Sequence, residues 1–221
     1  NALASRLSYF LWSSPPDKTL LDLARAGLLK TELTAQVTRM LADSKSDRFV
    51  THFIRRWLDL DNIGTMPPSE DFLVFYRDNL ESAMRAETEM FFRHVLDNNL
   101  PLSEFLGANY TFLNRELATH YGIEGVEGNQ FRRVELNNRH RGGLLGQGAL
   151  LTASANGVDT SPVVRGIYVL EKLLGYTPPP PPPDVPAIEP DIRGAVTIRE
   201  QLVKHREIAT CAECHRKIDP L

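Results

Sequence analysis

The sequence predicts a mainly α fold, on three observations. Apolar residues recur at spacings of three and four in one segment after another. Strand-like alternation is confined to one short stretch, "FRRVEL". Segment ends carry helix punctuation: prolines and capping residues before, glycines after. With 221 residues, 42% of them hydrophobic, the chain is long enough for one medium domain or two small ones, each with an ordinary core.

Taken in order, the first helix runs from about Leu3 to Trp12 and stops at Ser13-Ser14-Pro15-Pro16-Asp17, where proline cannot continue the backbone ladder. A second ends at Gly27. A third sets Leu33, Val37, Met40 and Leu41 on one face, and a fourth, from about Ser46 to Leu60, turns Phe49, Phe53, Ile54, Trp57 and Leu58 inward. A long amphipathic stretch follows from Phe72 to Leu96, with Phe72, Phe75, Tyr76, Leu80, Met84, Phe91 and Val95 as its apolar positions. Within "YTFLNRELATHYG", Asn114 caps a short helix that Gly122 terminates.

Between Gly122 and Asn138 the composition changes, and a domain boundary is expected there: a helical domain over 1–135, then a smaller, mostly helical one over 136–221. Four glycines in "RGGLLGQGALLTAS" fit either a helix packed very closely on a neighbour or an irregular wall beside a ligand, because glycine weakens an ordinary helix interior by about 1 kcal/mol. The next helix has Ser161 as N-cap, Pro162 in its first position, an apolar face of Val164, Ile167, Tyr168, Leu170, Leu173 and Leu174, and Gly175 past its end. Six prolines, Pro178 to Pro183, form a polyproline II strut. Thr197 with Glu200, and Thr210 with Glu213, have the spacing of capping boxes for the last two helices.

Charge excludes some partners. Lys and Arg number 25 against 28 Asp and Glu, for a net charge of -3, so no field favours nucleic acid or an anionic membrane. Basic clusters such as Arg132-Arg133 and Arg139-His140-Arg141 read as solvated surface. No apolar run reaches the roughly 18 to 20 residues a transmembrane helix needs, and the opening residues carry no leader pattern. The chain opens without methionine and closes on Asp-Pro-Leu, as a piece of a larger polypeptide would.

The chemistry is concentrated at the end. "ATCAECHRKIDPL" holds the only two cysteines, Cys211 and Cys214, with His215 directly after them. Residues three and four apart share a helix face, so two thiols and an imidazole can address one flat object. A c-type haem is such an object: the thiols add to its vinyl groups and the histidine reaches the iron from the same side. Chance would produce the pattern in roughly one of several thousand shuffled sequences of this composition. Zinc would need a fourth ligand, and only His205 is nearby. A redox dithiol would follow a strand, and a disulfide leaves His215 without a purpose.

The stretches "SRLSYFLWSSPPD", "ETEMFFRHVLDNN", "YTFLNRELATHYG", "RGGLLGQGALLTASANGVDTSPVVRGIYVLEKLLG", "PPPPPPDVP" and "HREIATCAECHRKIDPL" together resemble the large secreted cytochrome-c-containing proteins typical of planctomycetes. The resemblance covers nearly the whole chain, as two tandem conserved domains of unknown function, the second cytochrome-c-like and haem-binding. It implies export to the periplasm or beyond, one covalent haem c per chain, and a redox role with a partner protein or neighbouring domains of the same polypeptide. Relatives continue past Asp-Pro-Leu, so part of the haem pocket is expected beyond Leu221.

Further site residues follow from what haem requires. The sixth iron position falls to Met66, in the proline-fixed loop "GTMPPSED", to His205, or to no residue. Met40, Met84 and Met90 lie in helical patterns as core filler. Arg165 and Arg199 are the candidates for the propionates, with ordinary salt bridges as the alternative. Asn156, Thr160 and Ser161 form a polar cluster whose plainer role is turn and cap chemistry. Asp184, Glu189 and Asp191 lack calcium-loop spacing. Three functions are thus expected in order: an electron-transfer module, a peroxidase-type haem enzyme with an open distal face, and an exported structural or interaction module.

Overall fold

A computed structural model describes residues 1–65, 70, 79–137, 141–155 and 162–178, together with the single positions 197, 199, 200, 203, 212, 216 and 218. The chain is mainly helical and divides into two compact units, Asn1–Ala153 and Ser154–Leu221.

In the first unit, α1 (Ala2–Trp12), α2 (Lys18–Arg25) and α3 (Leu33–Leu41) enclose a core of Ala4, Leu11, Trp12, Leu20, Leu29 and Met40. The Trp12 indole is buried and still satisfied, because its Nε1 donates to the Met40 carbonyl at 2.9 Å while Lys45 and Arg39 lie over the ring. Asp17 caps α2, its carboxylate accepting from the Leu20 N–H and pairing with Arg39 at 2.8 Å.

Next, α4 (Asp47–Trp57) packs along α5 (Leu80–Asp97) through a ladder of rings, Phe49, Phe53 and Trp57 against Phe92. Ile54 and Leu58 are fully buried as expected, but Phe53 is on the rim and 38% exposed. Helix α5 buries Leu80, Met84, Phe91 and Val95, all read from the sequence. Met90 departs from its expected role as filler: it is 36% exposed, because the face toward α4 and the strands takes Phe91 and Phe92 instead. Phe72, Phe75 and Tyr76 lie outside the described residues.

After α6 (Glu104–Gly107), a strand β1 (Tyr110–Leu113) pairs antiparallel with β2 (Arg132–Glu135), Tyr110 opposite Glu135 and Leu113 opposite Arg132. The expected extended segment "FRRVEL" is β2. Its partner has all four residues buried, so it shows no alternation. Between the strands α7 (Arg115–Tyr121) begins as expected, with the Asn114 side chain accepting from the Leu117 N–H at 3.0 Å. It ends at Gly122, whose φ of 68° admits the left-handed turn.

The glycine-rich segment closes this unit. A 3-10 turn, Leu144–Gly146, leads into α8 (Gly148–Ala153), which lies against α5. The glycines serve close approach: a Cβ on Gly148 would sit 2.8 Å from the Tyr121 hydroxyl and 2.9 Å from Met84 Cε. Gly148 shows the close packing that was one of the two roles expected for these glycines.

In the second unit α9 (Pro162–Lys172) starts at the expected proline and is followed by Gly175 at φ 67°. Tyr168, Val169 and Leu170 are buried, whereas Val164 and Leu174, expected on the apolar face, are 50% and 58% exposed. Gly166 receives Ile218: a Cβ there would lie 2.5 Å from Ile218 Cγ2. The Thr197–Glu200 capping box is formed reciprocally, with the Thr197 N–H donating to Glu200 at 2.9 Å and the Glu200 N–H to Thr197 Oγ1 at 3.3 Å. Residues 179–183 of the proline run lie outside the described residues.

Candidate functional sites

Cys211, Cys214 and His215 lie outside the described residues, as do Met66, His205, Asn156, Thr160 and Ser161, and Asp184, Glu189 and Asp191. The described positions among and after the motif residues, Ala212, Arg216 and Ile218, are helical, and Ile218 is buried against Gly166 of α9. Arg165 immediately precedes Gly166 on α9. Its Nε donates to Ser154 Oγ at 3.4 Å, and burial lowers its pKa, since a guanidinium surrendering water loses stabilisation of its charge. Arg199 is exposed, inside the turn capped by Thr197. Among the described residues no group of three or more His, Cys, Asp or Glu could hold a metal ion.

The first unit contains a polar cluster that sequence reasoning missed. Glu87, on α5, is fully buried. Its Oε1 accepts from Thr111 Oγ1 of β1 and its Oε2 from the Tyr121 hydroxyl of α7, both at 2.5 Å. The same Tyr121 oxygen accepts from the Gly148 N–H at 2.6 Å. Four elements thus meet on one carboxyl group and one phenol. Burial pushes the Glu87 pKa up to about 7, against the two hydrogen bonds and the Arg141 charge, which favour the carboxylate. Tyr121 is pushed up as well, by burial and by the neighbouring carboxylate. One residue further along α5, Thr88 Oγ1 donates to Gln147 Oε1 at 2.7 Å.

Arg141 stands on the outer side of this cluster, its guanidinium 3.8 Å from the Tyr121 ring centre and its Nη1 donating to the Gly146 carbonyl at 2.9 Å. It was expected to be solvated; instead it is half-buried, because Tyr121 supplies a flat aromatic face for it. Beside it opens a cleft of about 600 Å³ between the end of α6, the open end of the two strands and the glycine-rich turn. The signal that could have located this region is the run of four glycines itself, since repeated glycine marks backbone approach.

No helix among the described residues is long and apolar enough to cross a membrane. No curated protein and no solved structure matches the chain. Two family models match in tandem, both described as proteins of unknown function: PSD4 (DUF1592) over residues 1–123 and PSCyt3 (DUF1588) over residues 141–221. The PSD4 match therefore covers the three N-terminal helices, the α4–α5 pair and the helix that carries Tyr121, more than half of the sequence, and the chain belongs to the DUF1592 family.

Proposed function

We propose that the chain is the c-type haem-binding, electron-transfer module of a larger exported protein, with haem joined through thioethers to Cys211 and Cys214 and its iron held by His215. The observation that carries this reading is the concentration of the chain's only two cysteines, at a spacing of three and followed by histidine, in its last eleven residues. The donor set suits the group: two thiols for two vinyl positions and one imidazole for iron, within five residues. The helical state of Ala212, Arg216 and Ile218 supports it, because a helix brings positions i, i+3 and i+4 to one side. So does the cytochrome-like name of the family model that spans 141–221.

Bound haem would supply one-electron chemistry. Arg165 and Arg199 would serve its propionates by charge-assisted hydrogen bonds, and the desolvation already felt by Arg165 makes an anionic partner favourable there. The seat of Ile218 on Gly166 ties the residues after His215 to α9. Electrons would pass to a partner protein or to neighbouring domains of the same polypeptide, outside the cytoplasm.

The test is to produce the full chain in a periplasm equipped for haem attachment, then to measure intact mass and the pyridine haemochrome spectrum. One porphyrin added covalently, lost when both cysteines are changed to alanine, is the expected result. A colourless protein with two alkylatable thiols, or one with zinc between them, would overturn the reading.

A further inference from the structure

Most arginines whose contacts are described in the first unit face a carboxylate: Arg39 pairs with Asp17, Arg55 with Glu89, Arg85 with Glu81, and Arg93 with Asp47 and Asp97. Arg141 has no carboxylate within 4 Å among the described residues, although it is half-buried and held in place. The stack on Tyr121 and the bond from Nη1 to the Gly146 carbonyl fix the plane of its guanidinium. A fixed fork of N–H donors has lost the rotamer freedom that binding would otherwise cost. It borders the cleft of about 600 Å³, a volume in the range of small-molecule sites. Asn109 and Asn137, both exposed, line the same cleft, and so does Gly142. No acid is among the described lining residues.

We infer that this cleft binds a small molecule through a carboxylate or phosphate group, with Arg141 as the charged anchor and Asn109 and Asn137 as neutral hydrogen-bonding partners. Glu87 is bound to the Tyr121 hydroxyl, near enough to feel the Arg141 charge but without forming an ion pair with it. The inference is independent of haem, since every residue in it belongs to the first unit.

Nuclear magnetic resonance of the full, isotopically labelled chain tests it. Sodium phosphate and sodium succinate are titrated separately against sodium chloride at matched ionic strength, and the amides of Gly142, Gly143 and Gly146 are followed. Saturable shifts with at least one of the two anions are expected, and which one saturates separates phosphate from carboxylate chemistry. Asn137→Asp puts a negative charge into the cleft from an exposed position and is expected to weaken binding roughly ten-fold or more without lowering the melting temperature. Arg141→Lys keeps the charge but not the fork, and is expected to weaken it as well. Shifts that merely follow chloride, or unchanged binding in Asn137→Asp, would overturn the inference.

Discussion

The Glu87 carboxyl, fully buried and holding Thr111 and Tyr121, is a group whose proton matters to stability. Its pKa in the folded chain, about 7, lies above the ordinary 4.5, so between these values the folded chain keeps a proton that the unfolded chain has released. Stability is therefore highest below about 4.5 and falls as the pH rises toward 7. The expected loss is about 3 kcal/mol. Urea unfolding at pH 5 and pH 7.5 checks it: wild type should lose stability across this interval, and Glu87→Gln should flatten the contribution. An equal slope in both proteins would remove Glu87 as the cause. Tyr121→Phe keeps the ring under Arg141 but strips a partner from both Glu87 and the Gly148 N–H, at an expected cost of about 1 to 3 kcal/mol in the same assay. None of this was legible in the sequence. A glutamate in an amphipathic helix reads as solvated, and the residues that satisfy Glu87 are 24 and 34 positions away. Arg141 was read as surface for the same reason, since the ring it needs belongs to another element.

Among the elements, legibility followed the strength of local signals. The helix after Asn114 was readable because its cap and its terminal glycine act within a few residues, and so were the start of α9 at Pro162 and the turn closed by Thr197 and Glu200. Strand β1 was not, because four consecutive buried residues carry no period. On α9, Val164 and Leu174 have the right spacing for a core face, yet they are 50% and 58% exposed while Tyr168, Val169 and Leu170 are buried. Spacing identifies a face but not how far its contacts extend. The glycines make the element-level prediction. Gly148→Ala would drive a Cβ against the Tyr121 hydroxyl and Met84, and is expected to destabilise by about 1 to 3 kcal/mol. Gly107→Ala meets nothing within 4 Å and is expected to be neutral or slightly stabilising, by up to about 1 kcal/mol. Thermal melts of the two variants compare them directly; equal melting temperatures would mean that α8 can back away from α7 freely.

For the molecule as a whole, two divisions of the chain differ. The matches to the two families leave 124–140 between them, whereas the first compact unit continues to Ala153. The reason is physical: Glu87 and Tyr121 need Gly148, β1 needs β2, and Thr88 needs Gln147. A fragment of residues 1–123 would lose the bonds to Gly148, β2 and Gln147, while 1–153 retains them all. The longer fragment is expected to unfold cooperatively and the shorter one to lose its sharp transition, with circular dichroism melts as the readout. A sharp transition in 1–123 would show that the later residues merely decorate a finished core. The bond from Gly148 to Tyr121 also turns one amide into a clock. Shut beneath the phenol, that hydrogen can be traded for deuterium only when the glycine arm lifts away from its helices, so its exchange rate times the opening of the lock that closes the first unit.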